Sequence, residues 1–186
     1  MRSYEGIARN FSLLLAQVRK QIENTGRLLR EPAPALIKSI RGSEDYIDTQ
    51  RGMIENDCFE LIRRAKQEDE STHDSVRALN VIASNLERIA DFAVNITRQF
   101  ERLSTPQRLT LINAQRHVDT LLKGVDLIEP ALFNRDATQA LEICRTEDEI
   151  DHLYAEDSER IVAAMNQSRD VADLVTVLFI THYRER

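Results

Sequence analysis

Apolar residues recur at every third or fourth position along most of the chain, which is the period of an amphipathic α-helix rather than of a strand. Proline, serine, threonine and asparagine interrupt this pattern, for example at Glu31-Pro32-Ala33-Pro34 and at Ser104-Thr105-Pro106. The interruptions predict an all-α fold of six helices, over residues 3–30, 33–69, 72–103, 106–133, 136–167 and 169–186. Pro130 predicts a kink in the fourth helix.

The chain contains an internal repeat. SEDYID at residues 43–48 recurs as TEDEID at residues 146–151, and the same alignment keeps the apolar register of the two preceding helices. The third helix repeats after a five-residue deletion. The sequence therefore predicts two tandem three-helix bundles, over residues 1–103 and 104–186, with the last helix cut short at Arg186 inside its repeat.

Composition excludes several classes of function. A net charge of −6 leaves no positive surplus for binding the phosphates of nucleic acid. No segment reaches the ~20 apolar residues of a membrane span, so we expect a cytoplasmic protein. Cys58 and Cys144 have no metal-like spacing and are expected to be half-buried free thiols. The sequence also lacks a nucleophile elbow and a phosphate loop, so we expect no enzymatic activity.

Acidic residues occur in pairs one helical turn apart. In NLERIADFAVN, residues 85–95, Glu87 and Asp91 lie at the edge of a wide apolar arc. The helix before it carries Glu44, Asp48 and Glu55 in or beside its apolar stripe, with Asp45 at the margin. The fifth predicted helix carries Glu147 and Asp151 inside its apolar stripe, with Asp148 at the margin. Carboxylates near a core are costly unless they are paired, hydrogen-bonded or bound to a metal.

Two packed helices would bring such carboxylates together, since residues at i and i+4 lie about 6 Å apart on one face. The predicted metal ligands of the first bundle are Glu44, Asp45, Asp48, Glu87 and Asp91. Those of the second bundle are Glu147, Asp148, Asp151 and Glu185. Oxygen ligands suit Mg, Mn, Ca or iron and argue against a structural Cys/His zinc site, but they do not determine whether iron, Mg, Mn or Zn binds.

Two other interpretations remain open at this stage. In the first, the protein is a metal-free helical adaptor whose carboxylates pair with arginines such as Arg51, Arg77 or Arg98. In the second, it is a carboxylate-bridged di-iron protein, which requires Glu-x-x-His on facing helices. The strings Glu70–His73 and Glu149–His152 have that form, although the first lies at a predicted turn and the second points away from the apolar stripe. His117 and His182 are expected at the helix surface or in packing.

The segment LNVIASNLERIADFAVNI, together with the two ED-x-ID segments, closely resembles the signature of the PhoU family. The resemblance spans nearly the whole chain. It implies tandem three-helix bundles whose paired acidic motifs bind metal clusters, here at Glu44–Asp48, Glu87–Asp91, Glu147–Asp151 and the motif that begins at Glu185.

The resemblance also implies a function in phosphate regulation. Its expected partners are a phosphate ABC transporter or a sodium–phosphate cotransporter component, and the sensor histidine kinase of a phosphate two-component system. Such a protein would act at the inner face of the membrane, and a homodimer is an open alternative to a monomer.

Overall fold

A computed structural model describes residues 3–64, 70–169 and 171–185. Within these ranges all regular structure is helical, which confirms the predicted all-α class. The helices are α1 Tyr4–Arg30, α2 Pro34–Gly42, α3 Glu44–Arg64, α4 Glu70–Phe100, α5 Ala114–Phe133, α6 Ala137–Gln167 and α7 Ala172–Glu185, with a 3-10 helix at Pro106–Leu111 before α5.

Two of the predicted helices are divided. The prediction for residues 33–69 is broken at Ser43, whose hydroxyl donates to the Ile40 carbonyl at 2.8 Å, while its own carbonyl accepts from Ile47 N–H in the first turn of α3. This local hydrogen bond competes with the helical ladder. The end of the same prediction, residues 65–69, lies outside the described residues. The prediction for residues 106–133 is broken by extended backbone at Ile112.

Side-chain caps start two of the helices, α1 and α6. Ser3 Oγ accepts from Gly6 N–H at the start of α1. Asp136 accepts from the amides of Thr138 and Gln139 at 2.9 and 3.2 Å and starts α6. Between α5 and α6, Arg135 has a φ of 52°, so the left-handed conformation ends one helix immediately before the next begins.

The helices form two three-helix units that pack on each other. In the first unit α1, the α2–α3 pair and α4 pack together, and in the second unit α5, α6 and α7 do so. Contacts of α1 with α5 and of α4 with α7 join the units. The main apolar core runs through the first unit and includes Val118 and Val125 of α5, so the interface between the units is continuous with the core. The exact domain boundary at residues 103 and 104 stays a prediction.

The two units approach each other closely at Gly26 of α1. A Cβ atom at this residue would lie 2.8 Å from Val118 Cγ2 and 2.9 Å from Val118 Cγ1, which is closer than van der Waals contact permits. The absence of a side chain therefore allows α1 and α5 to pack directly against each other.

The expectation that both cysteines are half-buried is wrong. Both thiols are free, but Cys58 is buried and Cys144 is exposed. No helix in the described part of the chain is long and apolar enough to cross a membrane.

Candidate functional site

The first acidic set comprises the predicted ligands Glu44, Asp45, Asp48, Glu87 and Asp91. Its members lie on α3 and α4, which pack against each other. Glu44 and Asp45 are in the first turn of α3, where an acidic side chain also stabilises the positive end of the helix dipole. The structure therefore places the set on two neighbouring helices, as the sequence predicts.

Most of this set lies near solvent. The side chain of Asp48 is 63% exposed and that of Glu44 is 41% exposed. Asp45 and Asp91 are also exposed, and Glu87 is half-buried. Ile47 and Ile54 fill the buried face of α3, so Glu44 and Asp48 lie beside the apolar stripe rather than in it, which is one of the two placements that the spacing allows.

Arg51 lies among these carboxylates. Its Nη2 donates to Asp48 Oδ1 at 3.1 Å, and its Nη1 donates to Glu55 Oε2 at 2.7 Å. A second arginine, Arg98 of α4, places Nη2 4.0 Å from Glu44 Oε1 of α3. The arginine pairing of the adaptor interpretation is therefore present at two of the five predicted ligands.

Glu87 has the most perturbed environment of the set. Burial, the negative charge of Asp91 and a hydrogen bond shared with Asp91 raise the pKa of the Glu87 carboxyl, while the charge of Arg51 opposes the rise. Asp48 raises it further, so Arg51 and Asp48 both lie close enough to act on Glu87 across the α3–α4 contact. Glu87 thus lies at the centre of the first acidic set.

The second acidic set comprises Glu147, Asp148 and Asp151 of α6 and Glu185 of α7. The three α6 residues are exposed, although Glu147 and Asp151 were expected inside the apolar stripe. Ile150 and Leu153 occupy the buried positions instead. Glu147, Asp151 and Glu185 line one cavity of about 600 Å³ between the two units. Arg184 of α7 lines the same cavity, and the rest of the lining is mainly apolar.

Neither set converges as a formed metal centre. Among the described residues, no group of three or more His, Cys, Asp or Glu side chains is close enough to hold one ion. Metal binding therefore stays a prediction for both sets. The donor chemistry of the second set suits a hard cation, whereas guanidinium groups already contact carboxylates of the first set.

In the Glu-x-x-His string whose side chains are both described, Glu149 and His152 contact other residues and not a shared site. Glu149 contacts Arg116 at 3.2 Å, and the exposed His152 contacts Glu156 at 3.1 Å on the surface of α6. His73 is half-buried in the first turn of α4, and the side chain of Glu70 lies outside the described part.

A buried polar triplet in the second unit was missed by the sequence analysis. It comprises His117 of α5, Asp157 of α6 and Arg184 of α7, which are 0%, 0% and 5% exposed. Arg184 Nη2 donates to Asp157 Oδ2 at 3.0 Å and also contacts His117 Nδ1. The backbone N–H of Asn113 donates to both oxygens of Asp157, at 3.1 and 3.2 Å. These contacts connect all three helices of the unit.

Burial determines the charge states of the triplet. It lowers the pKa of His117 to about 4, with a further contribution from the charge of Arg184. It also lowers the pKa of Arg184 to about 10, while Asp157 opposes this change. At neutral pH the imidazole is therefore neutral, and the guanidinium of Arg184 remains charged beside Asp157, which also accepts from Arg160.

The internal repeat carried a signal for this triplet. In the repeat alignment Leu14, Ile54 and Leu86 of the first unit fall against His117, Asp157 and Arg184. All three apolar residues are at most 1% exposed. Polar residues aligned with fully buried aliphatic ones predict a buried hydrogen-bonded cluster, so the comparison of repeats could have found it.

The sequence model of the PhoU domain matches residues 11–100 and again residues 116–186. The chain is 27% identical to the phosphate-specific transport system accessory protein PhoU homolog of Clostridium acetobutylicum, over 90% of this chain and 77% of that protein. It is 22% identical to the protein of the same description from Deinococcus radiodurans, over 93% of this chain and 82% of that protein.

Solved structures show the same fold. The phosphate transport system regulatory protein PhoU of Streptococcus pneumoniae superposes with a TM-score of 0.84 at 19% identity, over 97% of this chain and 86% of that one. PhoU of Pseudomonas aeruginosa superposes with a TM-score of 0.74 at 18% identity, over 97% of this chain and 88% of that one. The two domain matches, which cover most of the sequence, establish that the chain belongs to the PhoU family.

Proposed function

We propose that this chain is an accessory regulator of phosphate transport that acts by binding a component of a phosphate transporter, its sensor histidine kinase, or both. The double PhoU-domain match and the relatives named as accessory proteins of phosphate-specific transport support the general role. Binding is the activity that we infer, because the relatives are named as accessory proteins of a transport system.

An apolar face on α7 supports the binding mechanism. Val171, just before the helix, and Val175 and Phe179 within it follow one another at four-residue spacing and share one face. They are 40%, 38% and 49% exposed. The aligned residues of the first unit are His73, Arg77 and Val81, so only one of the two units presents a wholly apolar row here. An exposed apolar row of this kind is typical of a contact surface.

A co-purification experiment with matched variants tests this mechanism. The double variant Val175→Glu/Phe179→Glu places charges on the apolar row, and Arg77→Glu/Val81→Glu places them at the aligned positions of the first unit. We expect the α7 variant to lose at least about ten-fold in affinity for the transporter ATPase, the permease or the kinase, because buried charge opposes docking. Equal binding by the two variants would exclude this face, and no binding by the wild type would exclude these partners.

We also propose that the second acidic set binds a divalent or trivalent cation. What supports this is that Glu147, Asp151 and Glu185 line one cavity and supply only oxygen donors. Glu147→Ala/Asp151→Ala should lower the metal content of metal-loaded protein in elemental analysis, with Glu159→Ala on the exposed surface of α6 as the control. An unchanged metal content in Glu147→Ala/Asp151→Ala would contradict the proposal.

A further inference from the structure

The two acidic sets differ in the cations that surround them. In the first set Arg51 hydrogen-bonds Asp48 and Glu55, and Arg98 of α4 approaches Glu44 of α3. In the repeat alignment Tyr154 takes the position of Arg51, and Ser158 takes that of Glu55. Among the described residues, no arginine contact is present at Glu147 or Asp151 that resembles the one at Asp48.

We propose that Arg51 and Arg98 are the resident cations of the first acidic set and balance its carboxylates without a metal ion, Arg51 along α3 and Arg98 across the α3–α4 contact. Arg51 supplies two donors to two different carboxylates, which a planar guanidinium does well. Arg98 supplies the charge on the facing helix, where it neutralises the carboxylate at the first residue of α3.

A metal ion at this position would have to displace these contacts. An ion bound by Asp48 and Glu87 would remove the Arg51–Asp48 hydrogen bond and place a second cation beside the guanidinium. Like charges a few ångströms apart repel, and Arg51 is only 30% exposed, so solvent screens the repulsion incompletely. The first set therefore fits a guanidinium better than a metal cluster.

Metal content measured on matched variants tests this inference. Protein loaded with Mn²⁺ and desalted is compared as wild type, Glu87→Gln/Asp91→Asn and Glu147→Gln/Asp151→Asn. We expect the first variant to retain the wild-type metal content in full, whether the wild type carries metal at the second set or none at all. Loss of one or more equivalents in Glu87→Gln/Asp91→Asn would overturn the inference.

Unfolding measurements test the role of Arg51 directly. We expect Arg51→Met to raise the unfolding equilibrium constant about five-fold in chelator, the upper range for a partly exposed ion pair. Adding Glu87→Gln should restore at least half of this loss, because the repulsion that Arg51 offsets is then reduced, and Arg51→Lys should retain most of the wild-type stability. Mn²⁺ should leave the difference in unfolding free energy between the wild type and Glu87→Gln unchanged, even where binding at the second set stabilises both proteins.

Arg19→Met is the matched control, since Arg19 also contacts two carboxylates, Glu23 and Asp126, but lies outside the acidic set. Glu87→Gln should not change the effect of Arg19→Met on the unfolding equilibrium constant. The inference fails if Arg51→Met behaves like this control and shows no recovery with Glu87→Gln. The inference does not depend on partner binding. Co-purification of transporter or kinase with the wild type therefore tests the proposed function separately, and either result there leaves the test of Arg51 unaffected.

Discussion

The two repeat units bury the same three positions in opposite ways. Leu14, Ile54 and Leu86 form part of the apolar core of the first unit. His117, Asp157 and Arg184 occupy the aligned positions of the second unit and form a hydrogen-bonded ionic cluster. The helical register is the same, so one backbone arrangement accepts both solutions. The difference is that removing a single partner from the polar cluster leaves a buried charge, whereas the apolar core has no such dependence.

Replacing Asp157 should have the largest effect on stability. Asp157→Ala leaves Arg184 charged and buried without its carboxylate, and it also removes the acceptor of Asn113 N–H. We expect the free energy of unfolding to fall by about 3–5 kcal/mol, measured by urea denaturation. Asp126→Ala, which disrupts only the exposed pair with Arg19, is the control and should cost less than about 1 kcal/mol. Similar losses in both variants would contradict the importance of the cluster.

The second prediction concerns pH. The pKa of His117 is lowered to about 4 in the folded protein, below its ordinary value, so the unfolded chain binds a proton more readily. The stabilising contribution is therefore complete above about pH 6.5 and is lost as the pH falls toward 4, in total about 3 kcal/mol. Wild type and His117→Leu should differ in the slope of unfolding free energy against pH across this window. Parallel slopes would show that His117 does not titrate in this way.

Placing the apolar residues of the first unit at the aligned positions of the second unit should have a smaller effect on stability. The triple variant His117→Leu/Asp157→Ile/Arg184→Leu replaces the ionic cluster with the side chains of the aligned core positions. Such replacements are often neutral or stabilising. We expect the free energy of unfolding to rise by up to about 2 kcal/mol. The rise should be small because Asn113 N–H loses its acceptor. A loss larger than that of Asp157→Ala would mean that the units do not share the register inferred from the repeat.

The smallest effect is expected at a surface pair of the first unit. Arg41 donates to both carboxylate oxygens of Glu101, at 2.6 and 3.3 Å, and connects α2 to the end of α4. Both side chains are more than a third exposed. Glu101→Ala should therefore lower the unfolding free energy by less than about 1 kcal/mol and lose its effect in high salt, measured by the same urea titration. A salt-independent loss above 2 kcal/mol would show that this pair behaves like the buried one.

The sequence pattern predicted the fold well because helix period and capping residues are local signals. Five of the six predicted helices each contain a single α-helix of the described structure, and in one of these the α-helix begins after a 3-10 turn. The sixth is divided at Ser43. The apolar pattern does not predict this break, because it results from a hydrogen bond between the Ser43 hydroxyl and the Ile40 carbonyl. The candidate site was predicted less completely. Spacing placed Glu87 and Asp48 on facing helices, but it could not show which of Arg51, Arg77 and Arg98 pair with carboxylates of the set.

The buried triplet shows why contacts between helices cannot be predicted from the pattern of one helix at a time. Asp157 on its own resembles any acidic residue of α6, and Arg184 resembles any basic residue near a helix end. Only their meeting across α6 and α7 makes both of them core residues. The alignment of repeats contains that information because it assigns Ile54 and Leu86 to the same places.

The missing side chain at Gly26 affects how the two units can move. Because the methyl groups of Val118 fill the space beside residue 26, sliding α1 along α5 would push them against residues that do have side chains. Any displacement of α1 along α5 would therefore have to move Val118 away from residue 26 first, so this contact opposes sliding between the two PhoU units.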